Sequence, residues 1–219
     1  MRLVLRNLSK NIEKMPVFNR ISFSFESGLI YGLTGAKHSG KTLLFRSIAG
    51  EEAFDKGHIR INRDGKDYRI GFGDVGCVLT NSPLPDFLTG EEFVKHFLEL
   101  HDMPCDKKTI KSYLKIIGID KELSKKQIYH YTEELACHLQ LLCVYILKPN
   151  VILVEEDMED ISDNTIKLVK KLLDEMKKDC VVIMSTINAR LLSDVCDEVV
   201  ELKEGILSSM DMNILSLED

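Results

Sequence analysis

The stretch LIYGLTGAKHSGKTLLFRSIAG, residues 29–50, determines the fold class. It begins with a uniformly apolar run over Leu29–Leu33, which is typical of a β-strand covered on both faces. A mostly apolar run over Leu43–Ala49 predicts a helix, and Gly50 is suited to end it. Between the two runs, GAKHSGKT at residues 35–42 fits the phosphate-loop pattern G-x-x-x-x-G-K-[ST] in the strand–helix context that the pattern requires. The stretch therefore predicts a nucleotide-binding α/β protein.

The residue types of this loop match the chemistry of a phosphate chain. Gly35 and Gly40 allow a tight path and a close approach of the backbone, whose N–H groups and helix N-terminus point at phosphate oxygens. Lys41 places a positive charge on the β- and γ-phosphates, and Thr42 offers a hydroxyl to Mg²⁺. We expect the nucleotide to contact nine consecutive residues: Gly35, Ala36, Lys37, His38, Ser39, Gly40, Lys41, Thr42 and Leu43.

Two carboxylates follow a second apolar strand. A phosphate loop of this kind needs one acid to hold magnesium and another to handle water, both at the end of a buried parallel strand nearby. Val151–Val154 predicts such a strand, and Glu155 and Glu156 come directly after it. The alternative is a polar strand end that faces solvent, but the phosphate loop favours the site.

The rest of the chain predicts an open α/β sheet with an insertion. Ser162 and Asp163 are suited to cap a helix, and Val181–Met184 and Val199–Leu202 predict two further strands. Alternation of strand and helix in this half indicates a parallel sheet. The middle of the chain, Phe87–Leu147, is mostly helical in its periodicity, so we interpret it as an insertion between two parts of the sheet.

Composition narrows the function classes. The 219 residues include 29 Lys and Arg against 35 Asp and Glu, a net charge of −6. A field of that sign repels nucleic acid and anionic lipid on average, so we expect no nucleic-acid partner. A local basic patch is nevertheless compatible with the net charge of −6. No apolar run approaches the roughly 20 residues that span a bilayer, and the N-terminus does not read as a signal peptide. These features predict a cytosolic protein.

Five segments carry a resemblance to a known family. They are residues 5–42, which include the phosphate loop, followed by GHIRINRDG (57–65), LPDFLTGEEFVKHFLEL (84–100), LKPNVILVEE (147–156) and the stretch 181–207. In this order they resemble the ATP-binding cassette (ABC) ATPases, the nucleotide-binding subunits of ABC transporters. The resemblance is closest to the short ATPase subunits of exporters whose permease is a separate chain.

The resemblance implies a fold, a cofactor set and partners. The fold is an α/β P-loop NTPase of ABC type with a mixed or parallel sheet core. It forms one domain over residues 1–219, in which 1–86 and 149–219 make the core and β subdomain and 87–148 the helical subdomain. The implied ligands are ATP and Mg²⁺, with Thr42 and Glu155 at the metal and Glu156 as catalytic base. The implied partners are a membrane permease and a second ATP-binding subunit, identical or different, at the inner face of the cell membrane.

The chain departs from the family's pattern at several positions. Ile12 lies where an aromatic residue normally stacks on adenine, and Glu155 replaces the usual aspartate. Ile187 replaces the switch histidine and can neither donate to the γ-phosphate nor orient water. The usual glutamine falls at Thr80 or Asn81, and the proline, serine and aspartate of the next loop become Asp157, Glu159 and Ser162.

The signature sequence is the sharpest departure. Tyr131–Leu135, YTEEL, stands where the family has Leu-Ser-Gly-Gly-Gln, so Glu133 and Glu134 replace two glycines that approach the partner's γ-phosphate. A carboxylate about 5 Å from one phosphate charge costs roughly 3 kcal/mol at an effective dielectric constant near 20. The residues are equally well explained as a helix start, with Thr132 as N-cap and two acids in the first turn. We therefore expect a homodimer to form a poor ATP sandwich.

Three hypotheses remain open from the sequence. The chain is an ATP-binding subunit of an ABC exporter with reduced or partner-dependent hydrolysis, or it is a pseudo-ATPase that binds nucleotide as a structural or regulatory ligand. A soluble P-loop kinase is the third hypothesis, and the collinear family pattern disfavours it.

Overall fold

The computed structural model describes residues 1–79, 84–156, 158 and 160–210. The chain divides into two compact units. The core unit comprises Met1–Cys77 and the described residues from Lys148 onward, and the helical unit comprises the described residues of Val78–Leu147. The described residues form the strands β1 (Arg2–Ile12), β2 (Met15–Glu26), β3 (Ile30–Thr34), β4 (Lys56–Arg63), β5 (Lys66–Arg69), β6 (Val75–Leu79), β7 (Val151–Glu156), β8 (Val181–Thr186), β9 (Glu198–Lys203) and β10 (Ile206–Met210). They also form the α-helices α1 (Lys41–Ala49), α2 (Gly90–Leu100), α3 (Lys107–Ile116), α4 (Glu133–Leu147), α5 (Asp163–Met176) and α6 (Ala189–Val195).

A six-stranded sheet brings the candidate site together. Its strand order is β10-β9-β3-β8-β7-β6, and β3, β7, β8 and β9 run parallel where they pair, whereas β10 is antiparallel to β9. The sheet is therefore mixed with a parallel centre, as the sequence predicts. Because β3 and β7 both pair with β8, the loop after β3 and the carboxylates at the end of β7 lie at the same edge of the sheet.

A second, antiparallel sheet covers part of the core unit. Its order is β2-β1-β4-β5. Alternate residues of β1 and β2 point inward, so Leu3, Leu5 and Phe25 are fully buried. They belong to one hydrophobic cluster with Leu33 of β3 and Leu44 of α1. This cluster fixes the strand before the phosphate loop and the helix after it.

Helix starts in both units follow capping rules. Ser162 accepts a hydrogen bond from the Thr165 N–H at 3.3 Å, which confirms the predicted cap of α5. In the helical unit, Thr89 and Glu92 form a capping box at α2, and Asp106 caps α3. Leu139–Leu147, within the range predicted to be mostly helical, forms the largely apolar C-terminal part of α4.

Candidate functional site

A cavity of about 650 Å³ opens beside the phosphate loop. Eight of the nine residues predicted to contact nucleotide line it, and Ala36 contributes its carbonyl oxygen to Lys41 instead. The remaining wall is mostly apolar apart from one carboxylate and one hydroxyl. The lining residues outside the loop are Ile12, Val17, Glu155, Ser185 and Ile187.

Two glycines shape the loop. Gly35 has a φ of +145°, and a Cβ there would lie 2.4 Å from the carbonyl oxygen of Leu202. Gly40 has a φ of +103°, and a Cβ there would lie 2.8 Å from Cγ1 of Val17. Both the backbone conformation and the lack of space exclude any side chain at these positions. The backbone path of the loop therefore requires glycine at both positions.

The loop presents a cationic helix start. Helix α1 begins after Gly40 without a side-chain cap and without an acid in its first turn. The Lys41 ammonium donates to the carbonyl oxygens of Gly35 and Ala36, at 2.7 and 3.1 Å, so it lies within the loop. The Ser39 hydroxyl oxygen is buried and has no hydrogen-bond partner among the described residues. Together these groups make an anion site of backbone donors and one fixed cation.

The structure brings Thr42 and Glu155 into contact. The Thr42 hydroxyl donates a hydrogen bond to Oε1 of Glu155, although 113 positions separate the two in the chain. Glu155 stands on β7 and Thr42 in the first turn of α1, so the sheet edge and the loop meet at this pair. A hydroxyl and a carboxylate side by side are ligand types that Mg²⁺ accepts beside a phosphate chain.

Glu156 occupies a different environment from its neighbour. Only 3% of its surface is exposed, and it is not among the residues that line the cavity. Oε1 accepts the Met158 N–H, and Oε2 accepts the hydroxyl of Thr186 at 3.2 Å. Since successive residues of a strand point to opposite faces, Glu155 meets the cavity and Glu156 is turned away from it.

The turn after β8 is built around Thr186. Its hydroxyl accepts the Asn188 N–H at 2.9 Å while donating to Glu156. Asn188 then caps α6 by accepting the N–H groups of Arg190 and Leu191. Ile187 lies between these two anchored residues with 62% of its surface exposed, on the wall of the cavity. Sequence reasoning missed Thr186, because its position opposite Glu156 depends on the register between β7 and β8, which the sequence does not show.

The residues present fit a magnesium-bound triphosphate. The loop and the first turn of α1, whose N–H groups have no acceptor within the helix, line the cavity. Lys41 supplies the charge, and Thr42 and Glu155 supply oxygen ligands. Ile12 and Val17 also line the cavity and provide apolar contact only.

Comparison with known proteins assigns the chain to a family. A family model described as "ABC transporter" matches residues 18–159, which is more than half of the chain. This chain belongs to the ABC transporter family. The uncharacterised ABC transporter ATP-binding protein YybJ of Bacillus subtilis (strain 168) is 27% identical over 207 residues, which is 94% of each chain. The predicted family and its ATP-binding subunit type are therefore confirmed, and the chain is an ATP-binding subunit of an ABC transporter.

Two further relatives extend the comparison. The arabinose import ATP-binding protein AraG of Rhizobium johnstonii is 26% identical over 221 residues, which cover 94% of this chain and 43% of that protein. The dimeric structure of the ATP-binding cassette MJ0796 bound to ADP and phosphate aligns with a TM-score of 0.76 and 15% identity, over 96% of this chain and 98% of that one. The structural likeness confirms the ABC-type P-loop fold. Because an import protein is among the relatives, the comparison does not confirm the exporter prediction.

The family's signature position is a helix start in this ABC subunit. The Thr132 hydroxyl accepts the Leu135 N–H at 3.3 Å, and Glu133 and Glu134 form the acidic first turn of α4. This arrangement is the local capping device that the sequence allowed as an alternative.

The other positions at which the chain departs from the family's pattern lie in different parts of the structure. Ile12, at the position of the base-stacking aromatic, is 47% exposed and lines the cavity. Ser162 caps α5. Thr80, Asn81, Asp157 and Glu159 lie outside the described residues. Among the described residues, no helix combines the length and the apolar character needed to cross a bilayer.

Proposed function

We propose that this subunit binds Mg²⁺–ATP in the cavity beside residues 35–43 and energises an exporter whose permease is a separate chain. It works at the cytoplasmic face of the cell membrane, paired with a second ATP-binding subunit. The contact between Thr42 and Glu155 is the observation that carries the proposal, because it places both candidate magnesium ligands next to the loop that holds phosphates. Bound Mg²⁺ neutralises phosphate charge and orients the phosphate chain.

We assign separate roles to the residues around the cavity. Lys41 and the backbone donors of the loop hold the phosphates, and Thr42 with Glu155 holds the metal. Glu156 is assigned as catalytic base, in keeping with its family position. In the described conformation Glu156 is buried outside the cavity lining and its oxygens accept from Met158 and Thr186, so accepting a proton from water in the cavity requires its side chain to move. This requirement supports slow hydrolysis.

The cavity wall supports the same conclusion. Ile187 replaces a side chain that would donate a hydrogen bond, and an isoleucine offers neither a donor nor an acceptor. Removing one preorganised donor from an active site typically lowers a rate by about 10²- to 10³-fold. We therefore propose that turnover is weak in the isolated subunit.

The helical unit supports a heteromeric partner. At the start of α4 the Thr132 hydroxyl already accepts the Leu135 N–H, and the carboxylates of Glu133 and Glu134 lie between these two residues in the chain. A partner's phosphate would meet negative charge there instead of glycine N–H groups. A second subunit with an intact signature would supply those donors to the cavity of this chain, whereas a second copy would not. The dimeric structure of MJ0796, which shares this fold, supports pairing of two subunits in general.

A second candidate function is nucleotide binding without turnover. The specific observation that favours it is the burial of Glu156, at 3% exposure, with neither oxygen left to the cavity. In that case the subunit stabilises a permease or an active partner while ATP acts as a ligand.

Phosphate release by the isolated chain, and by the chain recovered from detergent-solubilised membranes with its co-purified partners, tests these proposals. For the first proposal we expect ATP binding in both samples, release near background from the isolated chain, and release from the complex that Glu156→Gln abolishes. Release at background in both samples, with ATP still bound, would establish the second candidate. Recovery of the chain without any membrane protein would contradict the transporter role.

Substitution Ile187→His sharpens the test. The position is exposed on the cavity wall, so the larger polar ring can be accommodated there. If the missing donor limits turnover, phosphate release should rise by about tenfold or more. An unchanged rate would mean that the missing donor does not limit turnover, and the burial of Glu156 would then be the remaining explanation.

A further inference from the structure

Helix α3 carries a row of exposed lysines. Lys107, Lys108, Lys111 and Lys115 are all exposed. At about 100° per residue they fall within an arc of about 100°, and they extend over about 12 Å of helix. Ile110 and Leu114, whose mean direction lies about 90° from the middle of this arc, are buried in the helical unit. We call these four residues the lysine face.

The charge around this face is positive in an acidic protein. Residues 106–126 contain seven lysines and three carboxylates, a net charge of +4 in a chain that carries −6. None of the seven lysines takes part in an ion pair found among the described residues. Of the three carboxylates, Asp106 accepts the N–H groups of Lys108 and Thr109, and Asp120 accepts those of Glu122 and Leu123.

A groove next to the lysine face carries balanced charge. The groove, of about 540 Å³ in the helical unit, is lined by Lys107 of the lysine face and also by Lys95 and Lys125. Glu91, Glu92 and Asp106 line the same groove, so three carboxylates balance its three lysines. The oxygens of Glu92 bond to the backbone and hydroxyl of Thr89, which directs that carboxylate into the capping box of α2. The lysine face itself holds no acid.

The type of cation points to the type of partner. The helical unit contains eight lysines and no arginine. Arginine is the residue enriched at specific protein interfaces and at bidentate carboxylate or phosphate sites, whereas lysine is depleted at protein interfaces. Lysine is a flexible, hydrated point charge, which suits a diffuse anionic surface such as a layer of phospholipid headgroups. An ABC transporter subunit acts next to such a layer.

We propose that the lysine face of α3 is a contact surface for anionic phospholipid headgroups. The contact is electrostatic and peripheral, since the apolar side of α3 is already buried and has nothing to insert. It requires neither nucleotide nor permease, so it is independent of the function proposed above. It would give the subunit a direct hold on the membrane beside its permease.

Co-sedimentation of the purified chain with vesicles tests the proposal. One set of vesicles contains phosphatidylcholine alone, and the other contains equal parts of phosphatidylcholine and phosphatidylglycerol. We expect binding only to the second set, with a steep loss on raising the ionic strength, because the Debye length falls from about 30 Å at 0.01 M to about 8 Å at 0.15 M. The triple variant K108Q/K111Q/K115Q should bind about 100-fold more weakly at low salt, at about fivefold per lysine.

A charge-matched control separates the lysine face from net charge. The variant K66Q/K178Q/K203Q removes three exposed lysines of the core unit and should retain most of the binding. Equal losses in both triple variants would overturn the proposal, and so would equal binding to both vesicle types or to neither. Retention of the chain on immobilised RNA through the same lysines, without vesicle binding, would also overturn it and indicate a nucleic-acid surface. Unchanged thermal unfolding of both variants confirms that each is folded.

Discussion

Two helix starts in this protein are built in opposite ways. Helix α1 begins after Gly40, with no side-chain cap, no acid in its first turn and Lys41 as its first residue. Helix α4 begins after Thr132, whose hydroxyl accepts the Leu135 N–H, and its first turn holds Glu133 and Glu134. Both positions correspond to phosphate-contacting elements in the family resemblance. Only the first keeps the donors and the charge that a phosphate needs.

The difference shows how an ABC-type fold can lose the signature half of an ATP site while it keeps the phosphate-loop half. The first four N–H groups of a helix have no partner within the helix, so each must find an acceptor. At α1 the sequence supplies none, and an anionic ligand is the natural acceptor. At α4 the Thr132 hydroxyl is an acceptor supplied by the chain, and Glu133 and Glu134 place negative charge where a phosphate would approach.

The largest expected effect concerns Lys41. Replacing Lys41 with alanine should weaken Mg²⁺–ATP binding about 100-fold, because hydrogen bonds to a charged group contribute about 1.5–3 kcal/mol each. The measurement is a titration of fluorescent ATP analogue with the purified chain. Lys37→Ala is a charge-matched control in the same loop, and it should change affinity by less than about threefold, since an exposed charge contributes less than about 1 kcal/mol.

Equal effects of the two substitutions would mean that the loop attracts nucleotide only through its net charge. Unchanged affinity in Lys41→Ala would mean that α1 no longer acts as an anion site, and the contrast with α4 would disappear.

The sequence predicted the central sheet because its strands are uniformly apolar. Val151–Val154 and Val181–Met184 lie in strands β7 and β8, and every residue of these two ranges is buried. Strand β5 was not predicted, since its sequence KDYR is polar and all four side chains are exposed. It is held by backbone pairing with β4, in the register Arg60 to Arg69, and that pairing leaves no hydrophobic pattern.

The sequence placed the candidate site residues near one another but did not show how the fold would separate the two carboxylates. The loop and Glu155 follow from motif and context, because a phosphate loop needs an acid at the neighbouring strand end. The sequence assigned Glu155 to the metal and Glu156 to the catalytic base and placed both after the strand, whereas β7 continues through both and separates them onto opposite faces. The engagement of Glu156 by Thr186 depends on strand register, which only the folded sheet defines.

The second prediction concerns the path of the loop before α1. Gly35→Ala should lower the free energy of unfolding by about 2–3 kcal/mol and also weaken nucleotide binding, because the new Cβ meets the Leu202 carbonyl in a backbone conformation that favours glycine. Urea denaturation measures the first effect.

Gly50→Ala is the matched control at the other end of α1: its φ is +78° and nothing lies within 4 Å of the new Cβ. It should cost about 1 kcal/mol and leave nucleotide affinity unchanged. Similar results for the two variants would show that the loop tolerates a side chain and is not shaped for close approach.

The smallest expected effect concerns the start of α4. Thr132→Ala removes the acceptor of the Leu135 N–H, so the free energy of unfolding should fall by about 1 kcal/mol, whereas Thr132→Ser keeps a hydroxyl and should stay close to the parent chain. Urea denaturation of the three proteins at neutral pH provides the comparison. Nucleotide affinity should not change in either variant, because the donors of α1 are untouched. A gain in affinity or in phosphate release by Thr132→Ala would mean that the cap withholds an N–H from nucleotide, and α4 would then retain more of a phosphate-binding role than its two acids indicate.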